Sequence, residues 1–291
     1  MKWQGGKKSD NVEDRRGMSS GGKIAVGGIG SVIIVVIGLF LGVDTNRLLQ
    51  LLPQEQASVS TSDSPRQLSE GEQQLTDFSS VVLKNTEEVW DFVFQEQLNK
   101  SYTAPKLLLY DGNYQTGGCG MGQSAFGPFY CPGDQKIYID LTFNEELEKR
   151  FGAKGEFALA YVIAHEVGHH IQHLLGVLEK TNAKRAHMSE RAYNKISVQT
   201  ELQADFYAGV WAHYVNKLKN SGVELTYQDI LDGMQAAAAV GDDHIQEQTQ
   251  GHSNPESFTH GSSAQRTYWF KKGYDTGDIK AGDTFNDRSL Q

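Results

Sequence analysis

Residues 160–173 read AYVIAHEVGHHIQH, an apolar run that contains four histidines and one glutamate. His165, Glu166 and His169 form the pattern H-E-x-x-H. In an α-helix, residues four apart lie on one face, so these two imidazoles can bind the same zinc ion. Glu166 lies beside them as a candidate catalytic base for a metal-activated water. The stretch predicts a buried helix over residues 157–175 that carries a metal site.

A catalytic zinc needs three protein ligands and one open position, so a third ligand is expected elsewhere in the chain. The best candidate is Glu201 in TELQADFYAG, within a helix predicted over residues 189–219. Asp205 lies one turn later and is expected to accept the far N–H of a zinc-bound imidazole, that of His165. An isolated acidic pair is more typical of a solvated helix face. Its apolar neighbours and the upstream motif favour the ligand interpretation.

Hydrolysis of an amide also needs a donor for the developing oxyanion. Downstream of the motif, FTHGSSAQR offers His260 and Arg266, and GDDHIQ offers His244. We predict His260 and leave the other two as alternatives. The remaining histidines are expected to be structural or to lie at the surface: His170, His173, His187, His213 and His252.

The chain has 291 residues and a formal net charge of −9. This acidic balance argues against a nucleic-acid-binding protein, which would show a basic face. Residues 44–72 are polar and rich in serine, as expected of a linker, and residues 73–291 are predicted to form one body. The sequence leaves the oligomeric state open.

Residues 24–43 carry no charge, and as a helix they would extend about 30 Å, the thickness of a bilayer core. A buried core helix and a cleavable signal peptide are the alternatives, but no A-x-A cleavage site follows. Residues 1–23 carry six basic and three acidic residues. The positive-inside rule then predicts a single-pass protein of the bacterial cytoplasmic membrane. Its N-terminal arm is expected in the cytoplasm and its body on the periplasmic or extracellular side.

Cys119 and Cys131 lie in a short loop rich in glycine and proline. In an oxidising compartment they can form a disulfide. The alternative is a pair of zinc thiolates, but their spacing is not C-x₂₋₄-C and no second pair exists. A disulfide is therefore the favoured interpretation, and it agrees with export of the body.

The remaining patterns predict an α+β fold that is mainly helical with a small sheet. Residues 75–100 and 227–240 have helical spacing of apolar residues. Residues 106–112 read as a short strand, and residues 136–143 alternate as a strand does.

Taken together, these stretches of sequence resemble the bacterial family of neutral zinc metallopeptidases. The resemblance rests on the apolar stretch 24–43 and on MKWQGGKKSDNVEDRRG, GCGMGQSAFGPFYCPGDQKIYIDLTF, AHEVGHHIQHLLG, ELQADFYAGVWAHY and FTHGSSAQRTYWFKKG. It covers nearly everything except the serine-rich linker. It implies a zincin-like domain of the gluzincin type, with His165, His169 and Glu201 as zinc ligands and Glu166 as the catalytic glutamate. It also implies that the strand over residues 136–143 is an edge strand that pairs with a peptide substrate.

The expected function is that of a membrane-anchored, zinc-dependent endopeptidase that acts on protein or peptide substrates. One alternative is a non-proteolytic binding protein with a zinc-stabilised core that docks a partner through the loop 119–131. Another is a hydrolase of a different amide, such as one in cell-wall peptide. The presence of Glu166 favours either enzyme, because a purely structural zinc site needs no base.

Overall fold

The computed structural model describes residues 1–17, 68–145, 147, 156–218 and 222–290. The apolar stretch 24–43 and the linker up to residue 67 lie outside these described residues. Among the described residues, no helix combines the length and the apolar composition needed to cross a bilayer.

Helices dominate the described part of the chain. The first begins at Glu70, ahead of the predicted start at residue 75, because Ser69 and Glu72 form a capping box. The helices are α1 (Glu70–Val93, continued by a π-helical turn Phe94–Leu98), α2 (Glu156–Leu174), α3 (Val177–Arg185), α4 (Glu190–Val215), α5 (Tyr227–Ala239), α6 (Asp242–Gln250) and α7 (Ser263–Thr276).

Two small sheets accompany the helices. Their strands are β1 (Val12–Asp14), β2 (Lys106–Leu109), β3 (Asn113–Gln115), β4 (Met121–Gln123), β5 (Phe129–Cys131) and β6 (Lys136–Ile139). The main sheet has the order β1-β2-β6-β5, with β5 alone antiparallel to its neighbour, and β3 and β4 form a separate hairpin. The predicted class, α+β and mainly helical, is confirmed.

The prediction that the strand over residues 136–143 lies at a sheet edge is wrong. Strand β6 pairs with β2 on one side and with β5 on the other, so its backbone hydrogen bonds are used within the sheet. The strand at that end of the sheet is β5, which also packs against α2. Strand order depends on pairing between distant segments, which the alternation of side chains within one strand does not encode.

The N-terminal residues belong to the body instead of forming a separate arm. Strand β1 pairs in parallel with β2, with Val12 opposite Leu107. Trp3 is 6% exposed, and its ring meets that of Phe78 edge-on at 5.3 Å. Residues 1–17 therefore complete the sheet and part of the core.

Helix α2 is the central element of the core. Every residue from Phe157 to Gly168 is buried, and the helix packs against α1, α4 and α5. Cys119 and Cys131 form the predicted disulfide, with Cα atoms 5.8 Å apart. It joins the segment after β3 to the end of β5, the strand beside α2.

Candidate metal centre and active site

Close contact between α2 and α4 brings the predicted ligands together. Gly168, inside the H-E-x-x-H motif, lies so near α4 that a Cβ atom there would stand 2.8 Å from the carbonyl oxygen of Ala204. Real Cβ atoms do not approach so closely, so only glycine fits at this crossing. The two helix backbones therefore meet one turn from Glu201, and this places its carboxylate beside the histidines.

His165, His169 and Glu201 form one cluster, in which their ligand atoms lie within 4.8 Å of one another. Nε2 of His165 lies 3.1 Å from Oε2 of Glu201, and Nε2 of His169 lies 3.5 Å from Oε1. Two imidazole nitrogens and one carboxylate are a donor set typical of a catalytic zinc site. Among the described residues, this is the one group of at least three such side chains that could hold a metal ion.

His165 is oriented by Asp205, as its helical position predicts. Nδ1 of His165 donates to Oδ1 of Asp205 over 2.8 Å. The fully buried carboxylate also accepts from Nε of Arg266 at 2.8 Å and from the hydroxyl of Tyr161. Burial raises the pKa of Asp205, but Arg266 and His165 outweigh it and lower the pKa to about 2. A carboxylate that only accepts fixes the proton of His165 on Nδ1 and leaves Nε2 for the metal.

His169 is oriented by Gln172, a residue that the sequence reasoning missed. Nδ1 of His169 donates to Oε1 of Gln172 over 2.9 Å. The amide orientation is fixed because Nε2 of Gln172 donates to the backbone carbonyl of Thr200 at 2.7 Å. Gln203 continues the chain of hydrogen bonds to the carbonyl of Gly282. The spacing of three residues between His169 and Gln172 on one helix could have revealed the contact.

Glu166 lies outside the group of three metal-ligating side chains. It is buried, and its Oε2 atom meets no hydrogen-bond donor among the described residues. Burial raises the pKa of Glu166, while His169 and His165 oppose the rise. An orphaned buried carboxylate oxygen is costly unless a further group binds there. A metal with its water would satisfy this oxygen, so the residues present fit a zinc ion.

The ligand side chains also form ion pairs with one another. Burial lowers the pKa of His165, but Asp205 and Glu201 outweigh it and raise the pKa to about 10. Burial raises the pKa of Glu201, but His169 and His260 outweigh it, and the pKa falls well below its usual value. Glu201 is thus a charged, acceptor-only group, as a metal ligand must be.

His260 lies on a loop whose backbone is held by Asp242. Oδ2 of this buried carboxylate accepts the backbone N–H groups of Thr259, His260 and Gly261, at 2.7, 2.7 and 3.0 Å. Its other oxygen lies 3.6 Å from Nδ1 of His260. The charge of His260 also contributes to the lowered pKa of Glu201. The imidazole of His260 is therefore near enough to interact electrostatically with the ligand cluster.

The two alternatives to His260 have other partners. Arg266 is 4% exposed, and its guanidinium binds Asp205 and the carbonyl of Val240. It therefore lies behind His165 and supports the ligand indirectly. His244 contacts Gln248 on its own helix.

The adjacent histidine of the motif, His170, has a structural environment. It is completely buried, and its Nε2 donates to the carbonyl of Thr103 while Nδ1 accepts from the hydroxyl of Tyr130. Burial lowers the pKa of His170 to about 4, so the ring is neutral. His173 lies beside it, with ring centroids 6.4 Å apart. His170 therefore ties α2 to β5 and to the loop before β2, and the ring of His173 lies 6.2 Å from that of Tyr130.

Comparison with known proteins identifies the family of the chain. The model of a family described as "Putative neutral zinc metallopeptidase" matches residues 1–285. YpfJ of Escherichia coli K12, described as uncharacterized, is 44% identical over 98% of this chain and 99% of its own length. Rv2575 of Mycobacterium tuberculosis H37Rv, also described as uncharacterized, is 48% identical over 65% of each chain.

No solved structure matches the chain. The family match extends over the N-terminal residues that complete the sheet, over the H-E-x-x-H helix and over the loop of His260. The predicted zinc cofactor agrees with the family and with the cluster of two histidines and a glutamate. The chain belongs to the neutral zinc metallopeptidase family.

Proposed function

We propose that the protein is a zinc-dependent endopeptidase that hydrolyses peptide bonds in protein or peptide substrates. The observation that carries this proposal is the buried, unpartnered Oε2 atom of Glu166, next to a cluster of three metal-ligating side chains. A structural zinc site closes its coordination with protein ligands and has no use for such a carboxylate.

His165, His169 and Glu201 would hold the zinc ion. When bound, zinc supplies Lewis acidity, which lowers the pKa of a water molecule and polarises the scissile carbonyl. Glu166 accepts a proton from the attacking water as its oxygen bonds to the carbonyl carbon. The carbon–nitrogen bond then breaks, and Glu166 delivers the proton to the leaving amine. One water is consumed, and the products are a carboxylic acid and an amine, which at neutral pH exchange the acid's proton to give a carboxylate and an ammonium.

His260 is the proposed donor to the developing oxyanion. Three backbone N–H groups of its loop donate hydrogen bonds to Asp242. The backbone that carries the imidazole is therefore already positioned before the reaction begins. The side chain is 32% exposed, which allows a substrate to reach it.

The peptide would pair with β5 instead of β6. Within the described residues, β5 ends the main sheet and so has one side without a strand partner. Tyr130 in this strand contacts His170 of α2, one residue after the ligand His169. An extended peptide that added a strand at β5 would run beside the helix that carries the catalytic motif.

We also propose that the body works in an oxidising compartment outside the cytoplasm. The Cys119–Cys131 disulfide supports this, because such bonds persist mainly in exported proteins.

The test is hydrolysis of a mixed peptide library by the purified full chain loaded with zinc, with products identified by mass spectrometry. Glu166→Gln keeps the three ligands, so it should retain zinc and lose turnover by at least a thousandfold, while His187→Gln at an exposed position should keep both. If wild type and Glu166→Gln are equally inert while both bind zinc, a zinc-stabilised binding protein replaces the peptidase. If only non-peptide amides are cleaved, the substrate class changes.

A further inference from the structure

The N-terminal residues determine how the chain can be placed relative to a membrane. Strand β1 is hydrogen-bonded directly to the body. The amide of Leu107 donates to the carbonyl of Asn11 at 2.8 Å, and the amide of Arg15 donates to the carbonyl of Leu109 at 2.8 Å. A bilayer core about 30 Å thick cannot lie between strands joined by such bonds.

The docking is extensive and does not depend on one strand. Trp3 is buried against Phe78, and its Nε1 donates to Glu156 at the start of α2 over 2.8 Å. The backbones of Lys2 and Glu224 exchange two hydrogen bonds of 3.0 and 2.9 Å. Separation of the N-terminal residues from the body would expose the indole of Trp3 and the outer edge of β2 to water.

Three lysines of the N-terminal residues have acidic partners on the body. Lys8 lies 2.7 Å from Asp77, Lys2 lies 3.4 Å from Glu224, and Lys7 lies 3.7 Å from Glu88. Arg16 is buried, pairs with Asp14 within the arm, and donates to the hydroxyl of Thr76 on α1 at 2.6 Å. Electrostatic complementarity to the body explains these charges without recourse to the positive-inside rule.

The sequence between the apolar segment and the body is interrupted by charged residues at short intervals. Residues 44–67 contain Asp44, Arg47, Glu55, Asp63 and Arg66, so no uncharged run there approaches the roughly 20 residues that a crossing needs. A single crossing by residues 24–43 would leave the arm and the body on opposite sides. The docked arm excludes that arrangement.

We infer that residues 1–17 and the peptidase body lie in the same compartment. This replaces the expected topology with a cytoplasmic N-terminus and an exported body. It is independent of whether the body cleaves peptides.

The test uses the full chain expressed in bacterial cells. Lys2→Cys and Glu224→Cys are placed at side chains that are 69% and 68% exposed, and a membrane-impermeant maleimide is added to intact cells and to inverted vesicles. Peptide mass spectrometry reads the labelled position, which separates these sites from Cys119 and Cys131. Equal labelling of both positions from the same side supports the inference. Labelling of the two positions from opposite sides overturns it.

The double variant Lys2→Cys/Glu224→Cys provides a second measurement. Opposed residues in an antiparallel pair have Cα atoms about 5.5 Å apart, within the range of a disulfide. Oxidation of intact cells should form this crosslink, seen as a mobility change that reductant reverses. A crosslink that appears only after detergent solubilisation contradicts the inference.

Discussion

Asp205 accepts a hydrogen bond from Nδ1 of His165 over 2.8 Å, and the opposite nitrogen of the same ring lies 3.1 Å from Glu201. One acidic residue of α4 therefore orients the imidazole, and the acidic residue one turn earlier shares a metal site with it. The two carboxylates have different roles although they lie on the same helical face.

The first prediction separates these roles. Glu201→Ala removes a charged ligand and should largely abolish zinc binding. Asp205→Ala keeps all three ligands and should weaken zinc binding by roughly 10–100-fold, because the orientation of His165 is lost. His173→Ala is the control and should leave the affinity unchanged. Competition with a chromophoric chelator measures all three, and loss of zinc in His173→Ala with retention in Glu201→Ala would mean that the third ligand is misassigned.

The second prediction concerns Gln172, which holds His169. Gln172→Met keeps the approximate volume but removes the acceptor for Nδ1 of His169, and zinc affinity should fall by roughly 10–100-fold. Gln203→Met, one step further along the hydrogen-bond chain, should have a smaller effect because the contact to His169 remains. An unchanged zinc affinity in Gln172→Met would show that this amide does not orient the ligand.

The third prediction compares two cations of α7. Arg266 and Asp205 form a buried pair, with side chains 4% and 0% exposed. Arg266→Met leaves a buried carboxylate without its main counter-charge and should lower the free energy of unfolding by about 3–5 kcal/mol. Lys271→Met breaks an exposed pair with Asp275 and should change little. Urea denaturation checks both, and similar midpoints for the two variants would refute the structural role of Arg266.

The fourth prediction concerns acid stability. The pKa of His170 falls from 6.5 to about 4 on folding, so between these values the unfolded chain binds a proton that the native protein does not. Stability should therefore fall as the pH drops from 6.5 to 4, by on the order of 3 kcal/mol from this residue. His170→Gln should remove that part of the pH dependence, and the exposed control His187→Gln should retain it. Denaturation curves at a series of pH values measure the difference, and equal slopes for wild type and His170→Gln would count against the buried neutral imidazole.

The sequence predicts those parts of the site that depend on helical spacing. His165 and His169 are four residues apart on one helical face, and so are Glu201 and Asp205. Contact between these two faces is sufficient to form the cluster. That they meet so closely depends on Gly168, whose role becomes visible only when α4 is placed against it.

Other features depend on contacts between distant segments, and the local pattern indicated something else. The basic N-terminal residues resemble a cytoplasmic arm because their acidic partners, such as Asp77 and Glu224, lie far away in the chain. The alternation in β6 predicts a strand but not its central place in the sheet. Asp242 and the backbone of His260 are 18 residues apart, and no periodicity links them.

The most direct test of the metal centre is the position of zinc in crystals of the full chain, located by anomalous scattering at the zinc edge. We predict one ion bonded to Nε2 of His165, to Nε2 of His169 and to a carboxylate oxygen of Glu201, each at about 2.0–2.2 Å. Glu166 should lie near the ion without binding it. An ion ligated by Glu166, or one that leaves Glu201 unbound, would contradict the assignment of ligand and base on which the proposed peptidase rests.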